Sequence, residues 1–116
     1  MRILVADEQS KVRYALRVLL RQQPGLDIVG EATDTEDLLA KARAASPDLV
    51  LVHWGLRGLV ASDLVPALRQ INDDLRVVAL SARPEARCAA LAAGADAFVF
   101  KVDPPERLLA TIRSVS

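Results

Sequence analysis

The chain is constrained above all by an alternation. Five short apolar runs (Ile3 to Ala6, Asp27 to Gly30, Leu49 to Val52, Val77 to Leu80, Ala97 to Phe100) are each followed by a stretch whose apolar residues recur at helical spacing. Four of the runs lack polar alternation, the pattern of strands covered on both faces of a parallel sheet. The second, DIVGEA, alternates and reads as an edge strand. Strand then helix, five times over, implies an α/β fold: a doubly wound, five-stranded parallel sheet with five helices and right-handed crossovers.

The helices have their own start and stop signals. Val12, Ala15, Leu16, Leu19 and Leu20 form a stripe after Gln9 and Ser10 that ends before Pro24-Gly25. Asp34 or Thr35 caps a second helix, and Ser46-Pro47 stops it. A third, starting at Ser62 or Asp63, keeps Pro66 in its first turn, where the amide has no partner to lose. Pro84 opens a fourth segment that ends at Gly94; Asp103 is placed as N-cap of the fifth helix and Pro104 at its first position. The whole chain, 1–116, is one domain. Hydrophobic residues make up 52% of it and aromatics 3%, so Leu, Val, Ile and Ala build the core. Fifteen acidic and fifteen basic residues cancel, and no basic patch stands out, which argues against direct nucleic-acid binding. No run approaches the length of a membrane span, the single Cys88 has no disulfide partner, and no signal peptide is evident, so the expected compartment is the cytoplasm. In its Ala-rich helix, Cys88 is expected to be buried packing.

In open parallel sheets ligands bind beyond the carboxyl ends of the strands. Here those ends carry Asp7-Glu8, His53, Ser81 and Lys101. Singly, each has a structural reading: an acidic N-cap, a structural histidine, a turn hydroxyl, a lysine reaching solvent. Together they suit phosphoryl chemistry, with paired carboxylates for Mg²⁺ and a hydroxyl and an ammonium for phosphoryl oxygens. The set has no nucleophilic carboxylate at its centre, and no enzymatic activity is expected.

The segments MRILVADE, PDLVLVHWGLRG, VVALSA, AAGADAFVFK and DPPERLLATI, in that order, resemble a response-regulator receiver domain of the NarL/FixJ type. The resemblance implies a flavodoxin/CheY-like sheet of strand order 2-1-3-4-5. It also implies metal binding at Asp7, Glu8 and the backbone of Gly55, a phosphate pocket of Ser81, Ala82 and Lys101, and a switch pair of Ser81 and Phe98. The implied partners are a sensor kinase or an output domain. The implied surface is the face of the fourth helix, fifth strand and fifth helix (Arg83, Arg87, Cys88, Phe98, Arg107), with a homodimer through that face or the first helix.

The departure lies at the reacting atom. The family's phosphoaccepting aspartate corresponds to His53, and its usual proline four residues later corresponds to Arg57. An imidazole supplies neither the acceptor oxygen nor a hard ligand, so Mg²⁺ binding is expected to be weakened or absent. His53 and Lys101 are expected instead to act as internal counterions to Asp7 and Glu8, leaving a receiver that serves as a protein-interaction or regulatory module. Two alternatives stay open at this point. One is a receiver phosphorylated, or made pH-responsive, through His53. The other is a flavodoxin-like cofactor carrier, against which stand the absence of a Ser/Thr/Gly-rich phosphate loop after the first strand and of an Asp-x-His-x-x-Gly loop.

Overall fold

The computed structural model describes residues 1–115. Its order is β1 (Arg2–Ala6), α1 (Ser10–Arg21), β2 (Asp27–Ala32), α2 (Thr35–Ala45), β3 (Leu49–His53), α3 (Ala61–Ile71), β4 (Arg76–Ser81), α4 (Ala86–Ala92), β5 (Ala97–Phe100) and α5 (Pro105–Val115). All four strand pairings are parallel, in the order β2-β1-β3-β4-β5. The expected architecture and the edge position of β2 are therefore observed.

The pleat divides the core into two layers, because successive strand residues point to opposite faces. Ile3, Val5, Leu49, Leu51, Val78 and Leu80 pack with Leu16 and Leu20 of α1 and Leu108 and Ile112 of α5. On the other face, Leu4, Val50, Val52, Val77 and Ala79 meet Leu38 of α2, Leu64, Val65 and Leu68 of α3, and Ala90 of α4. Covered on both sides, β1, β3 and β4 hold the carboxyl-end residues on a dry, rigid base. Among the described residues no helix is long and apolar enough to cross a membrane.

Three expectations are corrected and one is met in part. β5 is the second edge strand, paired only with β4; its two faces meet both layers, Phe98 on one side and Ala97 and Val99 on the other, but only Val99 is buried. The third helix begins at Ala61, so Pro66 lies beyond the first turn. Burial of Leu64, Val65 and Leu68 favours the longer helix, and Ser62, whose carbonyl loses its amide partner, is exposed to water. The last helix begins at Pro105, not Pro104. A proline disfavours helical backbone in the residue before it, which keeps Pro104 outside. Cys88 is exposed, because α4 turns Ala90 to the core and a residue two positions away points to the opposite side.

Candidate functional site

Asp7 follows β1 directly and is 1% exposed. Its Oδ1 accepts a hydrogen bond from the Gln9 amide at 2.9 Å, and its Oδ2 accepts one from Lys101 Nζ at 2.6 Å. The lysine thus points into the pocket and pairs with a carboxylate, and does not reach for solvent. It leaves β5 at a position fixed by its own amide, which donates to the Ser81 carbonyl at 3.0 Å. Arg13, one turn into α1, donates to the Asp7 carbonyl oxygen at 2.5 Å. Neither Asp7 nor Glu8 caps α1; the N-cap is Gln9, with no side-chain bond.

Glu8 is exposed, and its Oε1 lies 4.0 Å from His53 Nε2. His53 ends β3, and its carbonyl accepts the Leu56 amide at 3.0 Å, so the chain turns sharply through Trp54 and Gly55. The imidazole folds back over that turn. A Cβ at Gly55 would stand 2.9 Å from His53 Nε2, so the glycine makes room for the ring. His53 Nδ1 is buried without a hydrogen-bond partner. A histidine that ligates a metal almost always donates from its second ring nitrogen to an orienting group, and none is present here.

Ser81 is buried at the end of β4, and its Oγ accepts the Arg83 amide at 3.0 Å, closing the turn into α4. Ala82 next to it is exposed. Phe98 is half-buried against the α2–α4 layer and meets Phe100 edge-to-face, ring centroids 5.2 Å apart. Arg57 is exposed, and its carbonyl accepts the Thr35 amide at 2.9 Å, tying the β3–α3 loop to the start of α2. On the α4–β5–α5 face Arg83, Arg87, Cys88 and Arg107 are all exposed.

Asp7 and Lys101 are therefore bonded directly, and Glu8 and His53 face each other across 4.0 Å. Among the described residues no three His, Cys, Asp or Glu side chains are grouped to hold a metal. Sequence reasoning missed Arg13. It also missed Glu31 at the end of β2, which accepts from Arg13 at 3.2 Å and from Arg17 at 2.8 and 3.1 Å. Arg17 holds the Glu31 carboxyl below the ordinary carboxylate range, against the opposing effect of burial, and Arg17 itself is raised. The signal was the Arg13–Arg17 spacing of one helical turn.

Residues 3–113 match the family described as response regulator receiver domain. A putative transcriptional regulator of Pseudomonas aeruginosa is 31% identical over 116 residues, covering 98% of this chain and 56% of its own length. The chain spans about half the length of the curated relatives it matches. Among solved structures, a LuxR-family two-component response regulator from Aurantimonas superposes with a TM-score of 0.89 at 27% identity, over 98% of this chain and 83% of that one. The signal receiver domain of the putative response regulator NarL from Mycobacterium tuberculosis gives 0.86 at 25%, over 97% and 93%.

Proposed function

This chain belongs to the response-regulator receiver family, and from that premise we propose that it is a receiver that does not take a phosphoryl group on aspartate and acts as a protein-interaction module in two-component signalling. The observation that carries the reading is the imidazole at the end of β3, folded onto Gly55 where the family places its acceptor carboxylate. No carboxylate oxygen stands there for an incoming phosphorus atom. The Asp7 carboxylate is matched internally by Lys101, and His53 Nε2 stands 4.0 Å from the Glu8 carboxylate.

Receivers of this family commonly bind Mg²⁺ at the phosphorylation site, and the residues present here do not fit it. Asp7 has both oxygens engaged, by Lys101 and by the Gln9 amide, and the His53 ring covers Gly55. Glu8 is the one carboxylate of the set without a hydrogen bond, and His53 supplies no oxygen where the family has its acceptor carboxylate, which disfavours an ion that needs octahedral oxygen coordination. Phosphorylation of His53 is also disfavoured, because Nδ1 is buried and Nε2 faces both Gly55 and the Glu8 carboxylate. The partners proposed are those with which receivers interact, a sensor kinase or an output domain, in the cytoplasm. The α4–β5–α5 face, with its exposed Arg83, Arg87 and Arg107, is available to them.

The test is incubation with acetyl phosphate and Mg²⁺, read by intact mass. The wild type is expected to show no adduct and His53→Asp to acquire one that is labile to hydroxylamine, as an acyl phosphate is. An adduct on the wild type refutes the reading.

A further inference from the structure

A groove of about 350 Å³ opens between α1 and α5, on the face of the sheet turned away from α2, α3 and α4. Its floor is Leu80 and Val99, and its walls are Val12 and Leu19 of α1 and Leu108 of α5. Ala15 lies between the two α1 wall residues, and its methyl group leaves the gap open. The volume is at the lower end of the ~300 to 1,000 Å³ in which small ligands are held, which suits a small metabolite. Among the described residues, the polar side chains that line it are Lys11, Lys101 and Asp103. Lys101 is committed to Asp7 at 2.6 Å. The side chains of Lys11 and Asp103 have no hydrogen-bond or ion-pair partner among the described residues, and they do not pair with each other. A sugar or a phosphate ester would set polar groups against the apolar floor with nothing there to bond them, which is costly.

We propose that this groove binds a free α-amino acid with a large aliphatic or aromatic side chain. Lys11 is in the first turn of α1 and Asp103 lies between β5 and α5, so both stand at the carboxyl edge of the sheet. From that edge the groove runs down between the two helices, past Val12 toward Leu19. One cation and one anion therefore share one end of an apolar trough. An α-amino acid has the complementary pattern, with both ionic groups on one carbon at the end of an apolar body. Its carboxylate accepts from the Lys11 ammonium, its ammonium donates to the Asp103 carboxylate, and its side chain covers Leu80 and Val99. A fatty acid leaves Asp103 unmatched and an aliphatic amine leaves Lys11 unmatched, whereas the zwitterion matches both. Lys101 lines this groove and also bonds Asp7 in the strand-end pocket, so the occupied groove touches a residue of that pocket. The proposal does not depend on whether the pocket takes a phosphoryl group.

The experiment is an amide NMR titration of the chain with L-leucine, L-isoleucine and L-phenylalanine, with circular dichroism as the folding control for the variants. At least one of the three is expected to bind with a Kd of order 0.1 mM, its shift changes concentrated on α1, β5 and α5. Ala15→Trp, at an exposed position, fills the gap and should abolish binding. Lys11→Gln should weaken the amino acid about tenfold and leave isopentylamine, which has no carboxylate, unaffected. Asp103→Asn should weaken it by a similar factor and leave isocaproate, which has no ammonium, unaffected. The proposal is overturned if none of the three shifts the groove amides at up to about 10 mM. Isocaproate or isopentylamine binding as tightly as the amino acid also overturns it, as does binding that survives Ala15→Trp.

Discussion

The bond between Lys101 and Asp7 joins residues 94 positions apart at 2.6 Å, with Asp7 1% and Lys101 16% exposed. At that separation and an effective dielectric near 20, the Coulomb attraction is about 6 kcal/mol. Desolvating the two ions removes several kcal/mol of it. The unequal burial makes the two deletions unequal. Lys101→Met strands a fully buried carboxylate that keeps only the Gln9 amide, at a cost of about 3 kcal/mol, the lower end for a broken buried pair. Asp7→Asn keeps an oxygen for Gln9 and leaves an ammonium that can swing to water, at about 2 kcal/mol. The double variant has no ion left to desolvate and should cost about 3 kcal/mol, against about 5 if the two effects added, a coupling of about 2 kcal/mol. Urea titration at pH 7 reads this directly. With a slope near 1.5 kcal/mol/M, Lys101→Met shifts the midpoint by about 2 M. Additivity within about 0.5 kcal/mol, or a smaller loss for Lys101→Met than for Asp7→Asn, would refute the view of the pocket as a closed ion pair.

Two further outcomes follow from the same contacts. Glu31 is held below its ordinary range by Arg17, so its stabilisation is complete above the unfolded-state value near 4.3 and is lost as the pH falls through the lower folded value. Glu31→Gln should therefore cost about 1 kcal/mol at pH 7, and the gap to wild type should close in urea titrations near pH 3; a gap that persists there refutes the assignment. Gly55→Ala puts a methyl 2.9 Å from His53 Nε2 and should cost about 1 kcal/mol while shifting the imidazole NMR signals. The same substitution in a His53→Ala background should cost almost nothing, and an equal cost in both backgrounds would show that the ring does not lie over Gly55.

What the chain revealed before folding depended on how local the information was. Unbroken apolar runs marked β1, β3 and β4, because burial on both faces leaves no room for polar residues, and the alternation of DIVGEA marked an edge. The run Ala97 to Phe100 gave no sign of its edge position, because an edge strand with a helix against each face can be as apolar as a central one. The start of α3 was obscured by Ser62 and Asp63, both good capping types, while the actual N-cap is Val60, with no side-chain bond. Ala-rich α4 has too little contrast to show which way Cys88 faces. At the site, the strand-end positions and Lys101 as a counterion to the acidic pair were legible from the sequence, but not which carboxylate enters the pairing. Whether Lys101 reaches solvent or Asp7 depends on a contact between opposite ends of the chain.

On the proposed reading, that pairing explains how a pocket can keep most of its residues where the acceptor carboxylate is replaced. Three of the residues that remain have bonds the fold itself uses. Asp7 takes the Gln9 amide at the entrance to α1 and Lys101 from β5; Ser81 closes the turn into α4 through the Arg83 amide; the Lys101 amide extends the β4–β5 ladder. Removing the Lys101 ammonium strands the buried Asp7 carboxylate, and removing the Asp7 or Ser81 side chain frees a part-buried amide, at a cost of about 1 to 3 kcal/mol in a domain whose total stability is of order 5 to 15 kcal/mol. Position 53 is different. Its side chain makes no hydrogen bond, and Nδ1 is already unsatisfied. The fold places little demand on the residue that stands there, so the acceptor position can change while its neighbours stay. On the proposed reading, stability alone accounts for a pocket that keeps these residues around a changed acceptor position, without any phosphoryl transfer.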